Sequence, residues 1–201
     1  MVTTKSPPNV QETVTLRLWT RDEYESLIEH GILGSEDHVE LIGGAIVEMT
    51  PQKGPHAMAV GFGQDALLRV IGERFHLRVQ LPLSLGADSQ PEPDLAVIPG
   101  RRRDFHSEGH PQTAALIVEV SDTTLAFDRE RKGSIYARAG IPEFWILNLQ
   151  LQLLEVYRDP APDPAAPFGY AYRQRLSFSP DDRVSPVAIP GAEILIADLL
   201  P

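Results

Sequence analysis

The chain has 201 residues, 42% of them hydrophobic and 23% charged, with a formal net charge of −10, the profile of one soluble domain large enough to bury a core. It contains no cysteine, which excludes disulfides, thiolate metal sites and a cysteine nucleophile. The acidity argues against coating nucleic acid by electrostatics alone, although residues 91–140 carry seven Lys/Arg against eight Asp/Glu and are the least acidic third.

The first 18 residues read as a polar, proline-bearing tail and lead-in, without the apolar core of a signal peptide. Residues 19–201 read as a single domain. Thr20 followed by Glu23 is a capping-box pair, and it predicts a helix over 21–30 closed by Gly31. Val39-Glu-Leu-Ile42, Gly43-Gly44 and Ala45-Ile-Val-Glu-Met49 spell a β-hairpin. Apolar residues at helical spacing predict a long helix over 55–75, with Pro55 in its first turn.

A strand follows over 77–85, interrupted near Pro82. Two short β-branched runs come next, Pro91-Glu-Pro-Asp-Leu-Ala-Val-Ile98 and Ala115-Leu-Ile-Val-Glu-Val120, separated by a basic, polar loop. A helix is expected over 127–139, ended by Gly140-Ile-Pro142. Two strands, 143–147 and 151–157, then flank a turn. Residues 159–168 read as a surface loop, and the remainder as short strands with a closing turn at 194–200. The order predicts an α/β or α+β domain with a mixed central sheet. No run reaches membrane-spanning length, so a cytoplasmic protein is the default expectation.

Each of the two β-branched runs carries an acid, Asp94 and Glu119. An ionised carboxylate within a strand core is costly unless its charge is compensated. Strand parity places Asp94 with Ala96 and Ile98, and Glu119 with Ile117 and Ala115, so paired strands bring both acids to one end of the sheet. Two such carboxylates suit a hard divalent cation such as Mg²⁺, which takes one or two carboxylates and completes its shell with water. The competing reading has Asp94 cap a turn and Glu119 pair with an arginine.

On the helix that follows, Asp128, Lys132, Ile135, Tyr136 and Ala139 share one face, while Arg129, Glu130, Arg131 and Arg138 lie away from it. Lys132 is then the basic residue aimed inward, suited to positioning water or offsetting phosphate charge. The alternative is an Asp128–Lys132 surface pair worth about 0.3–0.5 kcal/mol. His56, near the start of the long helix, is a candidate phosphate contact or auxiliary acid/base, or simply a polar helix-start residue. Glu40 on the hairpin and Gln80 on the preceding strand are candidate cleft residues, though half-buried strands alternate polar residues anyway. Arg101, Arg102 and Arg103 are candidate contacts to a nucleic-acid backbone, or a solvated loop.

Pro93-Asp94, Val118-Glu-Val-Ser121, Asp128, Lys132 with Tyr136-Ala137, and Gly140-Ile-Pro-Glu-Phe-Trp-Ile146 resemble the Uma-type family of putative restriction endonucleases, within the PD-(D/E)XK nuclease superfamily. The hairpin and the Pro55-His56 segment match as well, so the similarity spans about residues 20–157. The resemblance implies a restriction-endonuclease-like core, with a mixed sheet flanked by helices behind an N-terminal helix and hairpin. It implies Asp94 and Glu119 as ligands of Mg²⁺ or Mn²⁺, DNA as substrate, and a homodimer. The superfamily's lysine is expected two residues after the glutamate, where this chain has Ser121; the matching lysine is Lys132 on the following helix. Two further functions compete with an endonuclease: a binding or dimerisation module that has lost turnover, and a metal-dependent phosphoesterase acting on a small substrate.

Overall fold

The computed structural model describes residues 15–34, 36–49, 51–105 and 109–201; most of the expected N-terminal tail lies outside them. Helix α1 (Arg21–Glu29) starts on the anticipated capping box, in which Thr20 Oγ1 accepts from the Glu23 N–H and Glu23 accepts from the Thr20 N–H. Strands β1 (Val39–Ile42) and β2 (Ala45–Glu48) form the hairpin, turning at Gly43-Gly44. Helix α2 (Gly54–Leu68) follows, with Pro55 in its first turn.

The central sheet contains β3 (Phe75–Val79), β4 (Leu95–Pro99), β5 (Leu116–Ser121), β6 (Glu143–Asn148), β7 (Leu153–Pro162) and β8 (Tyr170–Phe178), in that spatial order. Every neighbouring pair is antiparallel except β5–β6, which is parallel. A parallel pair needs a crossover, and here it is one continuous helical segment. It runs from α3 (Leu125–Phe127) through a π-helical stretch (Asp128–Lys132) into α4 (Gly133–Arg138). Strands β9 (Arg183–Val184) and β10 (Ile194–Leu195) pair separately near the C-terminus.

The sheet is covered on both faces, which explains why its inner strands are apolar almost throughout. On one face Leu95, Val97, Val118, Val120 and Trp145 pack with Ala59, Val60 and Leu67 of α2. Helix α2 comes close at Gly63, where an added Cβ would lie 2.7 Å from Leu95 Cδ1. On the other face Ala96, Ile98, Ile117, Phe144 and Ile146 pack with Ile135 and Tyr136 of the crossover and Ile42 of the hairpin.

Three sequence expectations shift. The helix anticipated to reach residue 75 ends at Leu68, because the chain reverses through Gly72 at φ +60° and Phe75 opens β3. The strand expected over 77–85 therefore starts earlier and stops at Val79, before Gln80 at φ +49°. The proline-rich segment is not wholly a loop, since β7 continues to Pro162 and pairs with Tyr170 of β8. Proline is tolerated there where its missing N–H is not required by the ladder.

Candidate active site

Leu95 of β4 lies opposite Val118 of β5, and both strands have Ile117 and Ala96 on the crossover face. Asp94 and Glu119, the next residues of each strand in that register, come together at the carboxyl end of β5. Both line one cleft of about 450 Å³, together with His56, Glu40, Gln80 and Lys132. The elements meet there from both sides of the sheet: α2 supplies His56 from one, the hairpin and the crossover supply Glu40 and Lys132 from the other.

Each Asp94 oxygen has a partner. Oδ1 accepts from Gln80 Nε2 at 3.1 Å, while Oδ2 accepts from the Val120 N–H at 2.8 Å and lies 3.3 Å from His56 Nε2. Burial alone would raise the Asp94 pKa; the hydrogen bond and charge of His56, with the Val120 and Gln80 donors, outweigh it and hold the carboxyl below its ordinary value. His56 is shifted reciprocally: burial would lower it, but Asp94 keeps it raised.

Glu119 is buried, and its Oε1 accepts from Lys132 Nζ at 3.0 Å and from the Tyr136 hydroxyl at 2.5 Å. Burial pushes its pKa up to about 8, against the pull of Lys132 and with added repulsion from Asp94, Asp128 and Glu40. Lys132 is only 8% exposed and also lies 3.2 Å from Glu40 Oε1. Burial disfavours its charge, yet Glu119, Glu40 and Asp128 overcome that and raise its pKa above the ordinary lysine value. Lys132 is thus an internal ammonium clamped between a strand acid and a hairpin acid, not half of a surface pair with Asp128.

Asp128 is itself buried, accepts from Thr124 Oγ1 at 2.6 Å and lines the cleft. The π stretch produces this arrangement. The Gly133 N–H donates to the Asp128 carbonyl five residues back, and the wider turn lets more of the segment face the sheet. Arg129 consequently does not lie away, as the regular helical spacing suggested; its Nε donates to Glu155 Oε2 at 2.9 Å.

The arginine triplet is placed elsewhere. Arg101, Arg102 and Arg103 follow the end of β4 remote from Asp94 and are not among the residues lining the cleft. The sequence reading assigns Tyr136 to the buried helix face and to the family motif but gives it no site role, and it gives none to Glu48, Glu92, Asp122 and Lys53, though all four line the cleft. The glutamate–tyrosine contact had a detectable signal, since Tyr136 sits one turn after Lys132 on the same face.

The donor set fits a hard divalent cation. The buried carboxylates of Glu40, Asp94, Glu119 and Asp128 outnumber the one buried ammonium, and a 2+ ion relieves that surplus. Among the described residues no group of three or more His, Asp or Glu is arranged to hold an ion by side chains alone.

The fold is a mixed α/β architecture built on one six-stranded sheet, with the cleft at the end of β5. The chain superposes with a TM-score of 0.66 on a crystal structure from Anabaena variabilis described as a putative nuclease belonging to DUF820, at 20% identity, covering 90% of this chain and 96% of that one. Residues 21–197 match the Uma2 family, described as "putative restriction endonuclease", and the chain belongs to that family. No curated protein matches it. No helix among the described residues is long and apolar enough to cross a membrane.

Proposed function

We propose that the protein is a Mg²⁺- or Mn²⁺-dependent endonuclease that hydrolyses phosphodiester bonds in DNA. The observation that carries this reading is the convergence of Asp94, Glu119 and Lys132 in one cleft at the end of β4 and β5. Family membership supports the reaction class.

When bound, the cation supplies Lewis-acid polarisation of the phosphate and a lowered pKa for attacking water. The protein's own residues do the rest. Asp94 and Glu119 place the charge that anchors the site, and Gln80, His56 and the Val120 N–H fix the Asp94 carboxylate. Lys132 offsets charge that builds on the phosphoryl oxygens, and the N-terminus of α2 adds a favourable dipole. Water's oxygen bonds to phosphorus and gives up a proton to solvent, the bond to the leaving nucleotide oxygen breaks, and that oxygen takes up a proton from solvent.

The test is cleavage of plasmid, linear and single-stranded DNA with Mg²⁺ and with Mn²⁺, comparing wild type with Asp94→Ala. Metal-dependent cleavage that disappears in the variant is expected; equal cleavage by both would overturn the assignment. A second reading, a non-catalytic module, is favoured by Ser121 at the strand lysine's place and by the engagement of Lys132 with two acids. Calorimetric Mn²⁺ binding without single-turnover cleavage of any substrate would select it.

A further inference from the structure

We infer that the strand admitted to this cleft is unpaired: the substrate is single-stranded DNA, with one nucleotide seated against Phe127 and the hairpin wall. This rests on the nuclease reading and specifies its substrate.

The first support is charge. Seven Asp and Glu side chains line the cleft against Lys53, Lys132 and the two histidines His38 and His56. Lys132 already faces two of these acids, Glu40 at 3.2 Å and Glu119 at 3.0 Å, and Lys53, at the mouth, lies 4.0 Å from Asp122. Duplex DNA presents one negative charge about every 1.7 Å of axis and is held by Lys and Arg that neutralise its phosphates. A divalent cation on the floor offsets two charges there, but Glu48 and Asp122, the more exposed of the lining acids, remain. A face of that sign repels the dense charge of two strands more than it repels one flexible strand.

The second support is size and lining. A volume near 450 Å³ sits toward the small end of the roughly 300–1,000 Å³ typical of pockets for single small ligands, room for about one nucleotide. The walls include Val47, Met49 and Pro51 from the hairpin and its exit, and Phe127 from the crossover. Apolar and aromatic surface beside a charged floor suits an unstacked base over a phosphate, because every base offers a π face whatever its sequence. In a duplex those faces are already stacked. The basic triplet Arg101 to Arg103 lies at the other end of β4.

The experiment uses a fluorescently labelled oligonucleotide, alone and annealed to its complement, with wild-type protein and Mn²⁺. Single-turnover rates and fluorescence anisotropy are both read. Cleavage and binding at least about tenfold in favour of the free strand are expected. Phe127→Ala should weaken binding of the single strand by about tenfold with its melting temperature followed in parallel. Because that variant can also loosen the crossover, Glu48→Lys at an exposed rim position is the second probe; it should narrow the gap by admitting the duplex. Equal or preferential cleavage of the duplex overturns the inference and leaves the nuclease reading standing. If neither form is cut, the nuclease reading fails, and anisotropy alone decides whether the cleft prefers an unpaired strand.

Discussion

Replacing Glu119 and replacing Lys132 should have opposite effects on stability and the same effect on turnover. Glu119 has a folded pKa near 8, against 4.5 for an ordinary glutamate, chiefly because it is buried. An acid whose pKa is raised on folding binds more protons in the native state between those values, so stability declines as pH rises from about 5 to 8. Glu119→Gln removes that slope. We expect it to abolish cleavage, flatten the pH dependence of melting and stabilise the fold at pH 8 by roughly 1–3 kcal/mol. Thermal melts across pH check this; a less stable variant at pH 8 would mark Glu119 as a structural anchor. Lys132→Met should behave the other way, costing about 3–5 kcal/mol because buried Glu40 is left without its ammonium. Its turnover should fall by roughly two to four powers of ten, measured under single-turnover conditions. Gln80 donates to Asp94 from a left-handed backbone at φ +49°, a conformation that costs a non-glycine residue some strain.

The crossover element joins two buried acids in one row of the sheet. Glu119 lies opposite Ile146, Ile146 opposite Glu155, and Glu155 opposite Ser177. Lys132 reaches the first acid and Arg129 the second, from the same π stretch. Glu155 also accepts from Asn148, Tyr157 and Arg175. Although burial would raise its pKa, the hydrogen bonds from Arg129, Tyr157 and Asn148 and the charge of Arg129 lower it to about 2. Its stabilisation is complete above about pH 4.5 and is lost as pH falls toward 2. Glu155→Gln should therefore cost roughly 2–3 kcal/mol at pH 7, with the difference from wild type closing across that acid window in urea melts. A pH-independent difference would mean that packing, not charge, is what the substitution removes. Sequence pattern reached much of this level: strand parity paired Asp94 with Glu119, the capping box set α1, and the apolar face of Ile135 and Tyr136 aimed Lys132 inward. It could not see the π turn, because a 3.6-residue period assigns Arg129 to the outer face. It also could not see Glu40 clamping Lys132, since that contact depends on how the hairpin docks, which no local pattern encodes.

At the scale of the whole molecule the formal charge of −10 sets the context for the cleft, where buried acids repel one another across β1, β5 and the crossover. The native state has accepted this repulsion at one place, and a bound divalent cation is the interaction that would relieve it. Binding to the native state alone stabilises by RT ln(1 + [L]/Kd), about 2.7 kcal/mol at a hundredfold excess of ion over Kd. For a chain of this size that corresponds to a rise in Tm of roughly 5–10 °C. Asp94→Ala should lose most of the rise, because one of the two strand carboxylates is gone. Glu119→Gln should lose it too while starting from a higher Tm, since the same repulsion has already been removed. Sodium chloride at matched ionic strength is the control, because screening of a net-negative surface also stabilises. Scanning calorimetry with Mn²⁺ separates the two effects. An equal rise in wild type, Asp94→Ala and the sodium chloride control would mean that the ion acts on the surface as a whole, and that Asp94 and Glu119 hold no cation between them.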